Sequence, residues 1–266
     1  MSALNVHDVG EGPVAVLLHA FPCDARMWRP QADALSLAGW RVLVPDLPGF
    51  GGSELLDDQP RLGPVADAVV SMLDERSVDR CVLAGVSLGG YVAMAMLASR
   101  PDLAAAVVFC DTKATADGDA ARENRERLAV LCEQEPAQTA RILEQSVLPG
   151  LLGDTTRATR PDVVAEVRGW LGEARPETVA WYQRAMAARP DSRDVLASLE
   201  VPALVIWGDE DALSPRAEQD LMLERLVHGD ISVIAGAGHL ANVERPDEVS
   251  WVLRRFGDVV RGHQQS

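Results

Sequence analysis

Ala84-Gly85-Val86-Ser87-Leu88-Gly89-Gly90 joins an apolar run, which ends at Ala84, to a helix-like run that begins at Tyr91. The segment has the pattern G-x-S-x-G, and its small residues suit a sharp turn between a strand and a helix. Such a turn exposes the serine hydroxyl at the carboxyl edge of a sheet, beside the backbone N–H of the next residue. Because serine alone is a weak nucleophile, this interpretation predicts a base and an acid elsewhere in the chain.

Short apolar runs alternate with longer helical patterns around this segment. The alternation predicts an α/β fold with a mainly parallel, twisted sheet and helices on both faces. The predicted strands are 14–18, 41–44, 80–84, 105–109, 203–207 and 231–234. The predicted helices of this layer are 25–37, 65–75, 88–99, 216–227 and 247–260.

The alternation stops after residue 111. Residues 112–199 contain no apolar strand run, and they are rich in Arg, Glu and Ala at helical spacing between prolines. We therefore expect residues 1–111 and 200–266 to form the core and residues 112–199 to form an inserted helical cap. An insertion at the carboxyl edge would overhang Ser87. The alternative is a helical second domain with no part in the site.

The base is expected to be His239. It is one of five histidines, and it lies in a loop of small residues, Ala235-Gly236-Ala237-Gly238, directly after the last predicted strand. Such a loop can bring an imidazole to the carboxyl edge of the sheet without obstruction. A solvated loop histidine is the alternative.

The acid is expected to be Asp211, in the segment Gly208-Asp209-Glu210-Asp211 after a buried strand. A Gly-x-x-Asp turn can present the carboxylate to the second nitrogen of the imidazole. Asp209 and Asp111 are the alternatives, since each also follows a strand. The chain order Ser87, Asp211, His239 is the order of nucleophile, acid and histidine expected for this architecture.

The composition of the chain limits which classes of molecule it is expected to bind. The chain has 266 residues and a formal charge of −15, which disfavours binding to nucleic acid and to anionic membrane surfaces. No apolar stretch has the length of a membrane span, and the first residues lack the pattern of a secretory signal, so we expect a cytoplasmic protein. The four cysteines form no C-x-x-C pair, and no metal site is predicted. A homodimer is left open.

Several motifs together resemble those of serine hydrolases with the α/β-hydrolase fold. They are Ser87 in its turn, His19-Ala20-Phe21-Pro22, the segment from Asp46 to Ser53, Gly208-Asp209-Glu210-Asp211 and Gly238-His239. The resemblance covers nearly the whole chain. It is to the group that contains small carboxylesterases, enol-lactonases and cofactor-free perhydrolases.

The resemblance implies the rest of the site. In such enzymes the oxyanion hole is formed by the backbone N–H groups at the positions of Phe21 and Leu88. The family usually has glycine where this chain has Ala20. No metal or organic cofactor is implied. Apolar residues that flank these motifs, Trp207, Leu213 and Leu240, are expected to line the substrate pocket.

The expected activity is a carboxylesterase that cleaves small-molecule esters through an acyl-enzyme intermediate. Three alternatives stay open at this point. The first is a lactonase, such as one that resembles 3-oxoadipate enol-lactonase. The second is a cofactor-free perhydrolase or haloperoxidase, since the same triad can use peroxide in place of water. The third is a ligand receptor on the same scaffold, because one fold hosts many functions.

Overall fold

The computed structural model describes residues 3–264. Within these residues, one sheet of seven strands has the order β1-β3-β2-β4-β5-β6-β7. Among the described strands, β1 and β3 pair antiparallel, and all other neighbours are parallel. The mainly parallel sheet predicted from the sequence is therefore confirmed. The strands are β1 (Val6–Val9), β2 (Val14–Leu18), β3 (Arg41–Pro45), β4 (Cys81–Val86), β5 (Ala104–Cys110), β6 (Ala203–Gly208) and β7 (Gly229–Ile234).

Among the described residues, every strand except β1 is followed in the chain by at least one helix. The helices before the long insertion and after it are α1 (Arg29–Leu37), α2 (Leu62–Glu75), α3 (Leu88–Ser99), α11 (Arg216–Leu223), α12 (Ala241–Glu244) and α13 (Pro246–Gln264). Those between β5 and β6 are α4 (Asp119–Gln134), α5 (Thr139–Ser146), α6 (Leu148–Leu151), α7 (Asp154–Thr159), α8 (Pro161–Glu173), α9 (Pro176–Ala187) and α10 (Arg193–Ala197).

Helices cover both faces of the sheet, as predicted. Alternate side chains of a strand point to opposite faces. Leu17 of β2 lies against α1 and α13, whereas its neighbour Leu18 lies against α3. Both leucines are fully buried. Two covered faces explain why the central strands are apolar along their whole length.

The segment between β5 and β6 contains helices α4 to α10 and, among the described residues, no strand. We call residues 112–199 the inserted segment. Its longest helix, α4, packs along α9. The division into a core and a cap at these boundaries stays a prediction. Within residues 3–264, no helix combines the length and the apolar composition needed to cross a bilayer.

Strand β1 was not expected from the sequence. It has only four residues, and His7 and Asp8 in its middle are exposed. It pairs with β3 alone at the edge of the sheet. Two half-buried valines give too weak an apolar pattern to predict a strand.

Candidate active site

Ser87 occupies the turn between β4 and α3 with a φ of 52°. This left-handed conformation is rare for residues other than glycine, so the surroundings must hold it in place. The N–H of Ser87 donates to the carbonyl oxygen of Cys110 at 3.0 Å, and its own carbonyl accepts from the Thr112 hydroxyl at 2.8 Å. The end of β5 thus fixes the turn, and the Ser87 hydroxyl remains available for chemistry.

The structure brings together the three residues predicted for the catalytic centre. His239 Nε2 lies 2.7 Å from Ser87 Oγ, and His239 Nδ1 lies 2.9 Å from Asp211 Oδ2. All three side chains are buried. Because Nδ1–H donates to the carboxylate, Nε2 can accept the serine proton. The arrangement can therefore activate the hydroxyl as a nucleophile.

Asp211 is held by its own turn. Its Oδ1 accepts from the N–H groups of Leu213 at 2.8 Å and Ser214 at 3.2 Å, and its Oδ2 accepts from the Ser214 hydroxyl. These donors fix the carboxylate and stabilise its charge, and they leave it aimed at His239.

The two alternative acids have other partners. Asp209 accepts from the N–H of Gly236 at 2.7 Å. Asp111 is fully buried and accepts from the N–H groups of Gly208 at 2.8 Å and Ala241 at 3.0 Å. Asp111 therefore ties together the chain segments that carry the acid and the histidine.

Charges around the imidazole favour its protonated form. Burial alone would lower the pKa of His239, but the charge and hydrogen bond of Asp211 outweigh it and raise the pKa above its ordinary value of 6.5. Burial would raise the pKa of Asp211, yet the His239 charge keeps that pKa lowered. Burial and the nearby charge of Asp211 raise the pKa of Asp111 to about 8.

We expect kcat/KM to fall on acidification, with a midpoint above pH 6.5. The base must be neutral to accept the serine proton, and a raised pKa keeps His239 protonated to higher pH. The measurement is the rate with p-nitrophenyl butyrate between about pH 5 and pH 9. The exposed His228 provides a control, because His228→Gln should leave the midpoint unchanged. A midpoint well below 6.5 would contradict the role of His239 as the base.

The backbone N–H groups of Phe21 and Leu88 are the ones predicted to form the oxyanion hole. Leu88 is the first residue of α3, where N–H groups have no partner within the helix. Phe21 lies in the loop after β2, and in the described residues neither its N–H nor that of Leu88 donates to another protein group. His19 holds this loop: its Nε2 accepts from the Leu47 N–H at 2.9 Å, so its Nδ1–H donates to the carbonyl of Ala20. The catalytic roles of the two N–H groups stay a prediction.

A cavity of about 340 Å³ opens onto the nucleophile. Ser87, His239, Phe21 and Leu213 line it. Its volume lies in the range of small-molecule sites.

Two of the predicted pocket residues lie elsewhere. Leu240 is completely buried in the hydrophobic core. Trp207 is also buried, and its indole N–H donates to the Ser214 carbonyl at 3.0 Å. Trp207 belongs to β6 and Leu240 lies in the loop after β7, and neither lines the cavity. Leu213 lines this cavity and Trp207 and Leu240 do not, so a place for those two residues in the substrate pocket stays a prediction that the cavity lining does not support.

Polar residues of the cavity were missed by the sequence analysis. Lys113, Asp117 and Arg125 all line the cavity and belong to the inserted segment, in which Lys113 lies shortly after β5. Their spacing forms no recognised motif. One signal was available: Lys113 is the only lysine of the chain.

Glu244 connects the inserted segment to the loop that carries the base. The fully buried carboxylate accepts from the N–H of Gly153 at 2.9 Å and from the N–H of Gly238 at 2.8 Å. Gly153 belongs to the inserted segment, and Gly238 directly precedes His239. The Glu244 carboxylate thus joins the inserted segment to the loop of His239 by hydrogen bonds.

Known proteins resemble this chain in fold and, more distantly, in sequence. A model of the alpha/beta hydrolase family matches residues 15–250. The chain is 35% identical to a thermophilic esterase from Thermogutta terrifontis, with a TM-score of 0.91 over 97% of this chain and 93% of that chain. It is 28% identical to a pimeloyl-[acyl-carrier protein] methyl ester esterase from Aeromonas hydrophila subsp. hydrophila, over 96% of this chain and 99% of the relative. An enol-lactonase from Burkholderia xenovorans is 27% identical, with a TM-score of 0.85 and 95% of each chain covered.

Proposed function

The chain belongs to the alpha/beta hydrolase family, and from this premise we propose that it hydrolyses carboxylic esters through an acyl-enzyme on Ser87. The observation that carries the proposal is the contact of 2.7 Å between Ser87 Oγ and His239 Nε2. A buried hydroxyl, imidazole and carboxylate in series are the parts that acyl transfer requires. The relatives whose names include an esterase support the same reaction.

The reaction proceeds in two halves. His239 takes the Ser87 proton while Oγ attacks the ester carbonyl, and the N–H groups of Phe21 and Leu88 stabilise the negative oxygen that forms. His239 then gives its proton to the leaving alcohol, and the acyl group stays on Oγ. Water, deprotonated by the same imidazole, releases the acid and restores the serine. Asp211 stabilises the imidazolium in both halves.

Lactone hydrolysis is the second candidate. The similarity to an enol-lactonase supports it, and a lactone is a cyclic ester that the same attack would open. A panel of open-chain esters and lactones of equal carbon number separates the two activities by kcat/KM. Perhydrolysis, the cytoplasmic location and the homodimer stay predictions.

A fluorophosphonate probe tests the nucleophile directly. We expect stoichiometric covalent labelling, with loss of fluoride, on the peptide that contains Ser87. Labelling should disappear in acid, because protonated His239 cannot activate the hydroxyl. A receptor that only binds ligands would leave the probe unreacted. Labelling confined to another serine would contradict the proposal.

A further inference from the structure

The cavity contains two positive side chains that the proposed reaction does not use. Lys113 follows β5 at the carboxyl edge of the sheet, and Arg125 lies on α4 of the inserted segment. Both line the same cavity as Ser87 and His239. Acyl transfer by a triad needs no side-chain cation here, since backbone N–H groups stabilise the oxyanion. The two cations therefore need a separate explanation.

Three cations share the single carboxylate of Asp117. Arg125 Nε lies 2.5 Å and Arg189 Nη1 2.9 Å from Oδ2, and Lys113 Nζ lies 3.5 Å from Oδ1. Burial would raise the pKa of Asp117, but the Arg189 hydrogen bond and the Arg125 charge outweigh it and hold the pKa well below its ordinary value. Asp117 is thus ionised, and the cluster has surplus positive charge. Counting Glu218, whose charge acts on Arg189, still leaves one positive charge in excess.

Lys113 is the cation with the weakest hold on Asp117. Arg189 Nη2 donates to Asp117 Oδ1 at 2.9 Å, so both carboxylate oxygens already have closer partners. Within residues 3–262, Lys113 Nζ makes no hydrogen bond, and neither does Arg125 Nη2. The Lys113 side chain is only 19% exposed, so it has lost much of its hydration without gaining a full partner. A ligand anion in the cavity would offset that loss.

We propose that Lys113, supported by Arg125, binds a carboxylate on the substrate, so that the preferred substrates are esters or lactones that also carry a free carboxylate. The inference rests on the proposed hydrolase function and adds the charge of the substrate to it. The surplus positive charge of this cluster lets the cavity attract an anionic group, although the chain as a whole has a net charge of −15. The attraction is stronger in a partly desolvated cavity than in bulk water.

Matched pairs of substrates test the preference. Monomethyl glutarate and methyl pentanoate differ in a terminal carboxylate on the acyl side, and 4-acetoxybutanoate and butyl acetate differ in the same way on the alcohol side. We expect kcat/KM of the wild type to favour the charged member of at least one pair. Added salt should reduce that preference, because ions screen the attraction. A wild type that favours the neutral member of both pairs overturns the inference.

Variants of Lys113 identify the residue responsible. Lys113→Met keeps the unbranched chain and removes the charge, and it should lower kcat/KM for the preferred charged ester about ten- to hundredfold. The ratio of kcat/KM for the charged ester to kcat/KM for its neutral partner should fall with it, since only the charged ester makes a charge-assisted hydrogen bond. Lys113→Arg should keep most of the preference. Arg122→Met is the matched control and should leave the preference unchanged. Arg122 lies one turn before Arg125 on α4, is exposed and does not line the cavity. An unchanged preference in Lys113→Met overturns the inference.

A binding measurement tests whether Lys113 binds the substrate carboxylate, and it does not require hydrolysis. Reductive methylation with carbon-13 labels the only lysine and the chain terminus, so NMR can follow the Lys113 amine by itself. In Ser87→Ala protein, monomethyl glutarate should shift the Lys113 signal, and methyl pentanoate should not. If the wild type hydrolyses esters but monomethyl glutarate leaves the Lys113 signal of Ser87→Ala protein unshifted, the carboxylate site is refuted and the hydrolase function is not. If no ester is hydrolysed, the proposed function fails, and a shifted signal still supports the anion site.

Discussion

Replacement of Ser87 by alanine is expected to lower kcat for p-nitrophenyl butyrate by about 10⁴- to 10⁶-fold. The substitution removes the only atom that can form the acyl-enzyme, while His239 and Asp211 keep their hydrogen bond. The backbone strain of the turn is the same for serine and alanine, so the fold should persist. Initial rates and circular dichroism on the same samples check both expectations.

Ser99→Ala is the matched control for this experiment. Ser99 is the last residue of α3, is exposed, and donates its hydroxyl to the Met96 carbonyl. Its loss should leave kcat unchanged within about twofold, because the residue lies far along the helix from the reacting atoms. If Ser87→Ala kept a rate within about tenfold of the wild type, the covalent mechanism would be wrong.

Gly89→Ala is expected to lower the free energy of unfolding by about 3 kcal/mol or more. A Cβ at this position would overlap the backbone carbonyl oxygen of Leu18, and its next neighbours are the carbonyl carbon and Cβ of the same residue. Backbone atoms in a central strand cannot rotate away, so α3 would have to move off β2. Such a shift would also displace Ser87 and the Leu88 N–H, and activity should fall. Urea denaturation followed by tryptophan fluorescence gives the change in stability.

Gly172→Ala, in contrast, is expected to raise the free energy of unfolding. Gly172 is exposed on α8, and a Cβ there would meet no atom within 4 Å. Alanine should therefore stabilise the helix by about 0.5 to 1 kcal/mol, since it loses less backbone entropy than glycine on folding. Equal effects at Gly89 and Gly172 would show that the close approach of α3 to β2 does not limit stability.

The predictable parts of the molecule are those with strong local patterns. The run before Ser87 and the helix after it could be assigned because an apolar strand, a serine between glycines and a helical pattern follow each other directly. Asp211 and His239 could be assigned for a similar reason, since each lies in a loop that follows a strand of the sheet. Parallel strands bring their carboxyl ends to one edge, so the three residues meet although they lie far apart in sequence.

The composition of the cavity could not be predicted in this way. Trp207 and Leu240 lie near the motifs in sequence, but the direction of a side chain depends on register and packing. Lys113 and Arg125 reach the cavity from different elements, and Asp117 joins them through an ion pair with Lys113 and a hydrogen bond from Arg125. Such contacts depend on how α4 lies against the sheet, which no local pattern specifies.

The carboxylate of Glu244 limits how the inserted segment can be exchanged for that of another hydrolase. Its two oxygens are divided between Gly153 and Gly238. A graft without a backbone donor in place of Gly153 would leave one buried oxygen unsatisfied next to the loop of His239, and would disturb the base along with the pocket. The substrate range can therefore be altered by substitutions at positions that line the cavity, such as Arg125. The backbone around Gly153, in contrast, has to be kept together with the sheet and the loop of His239.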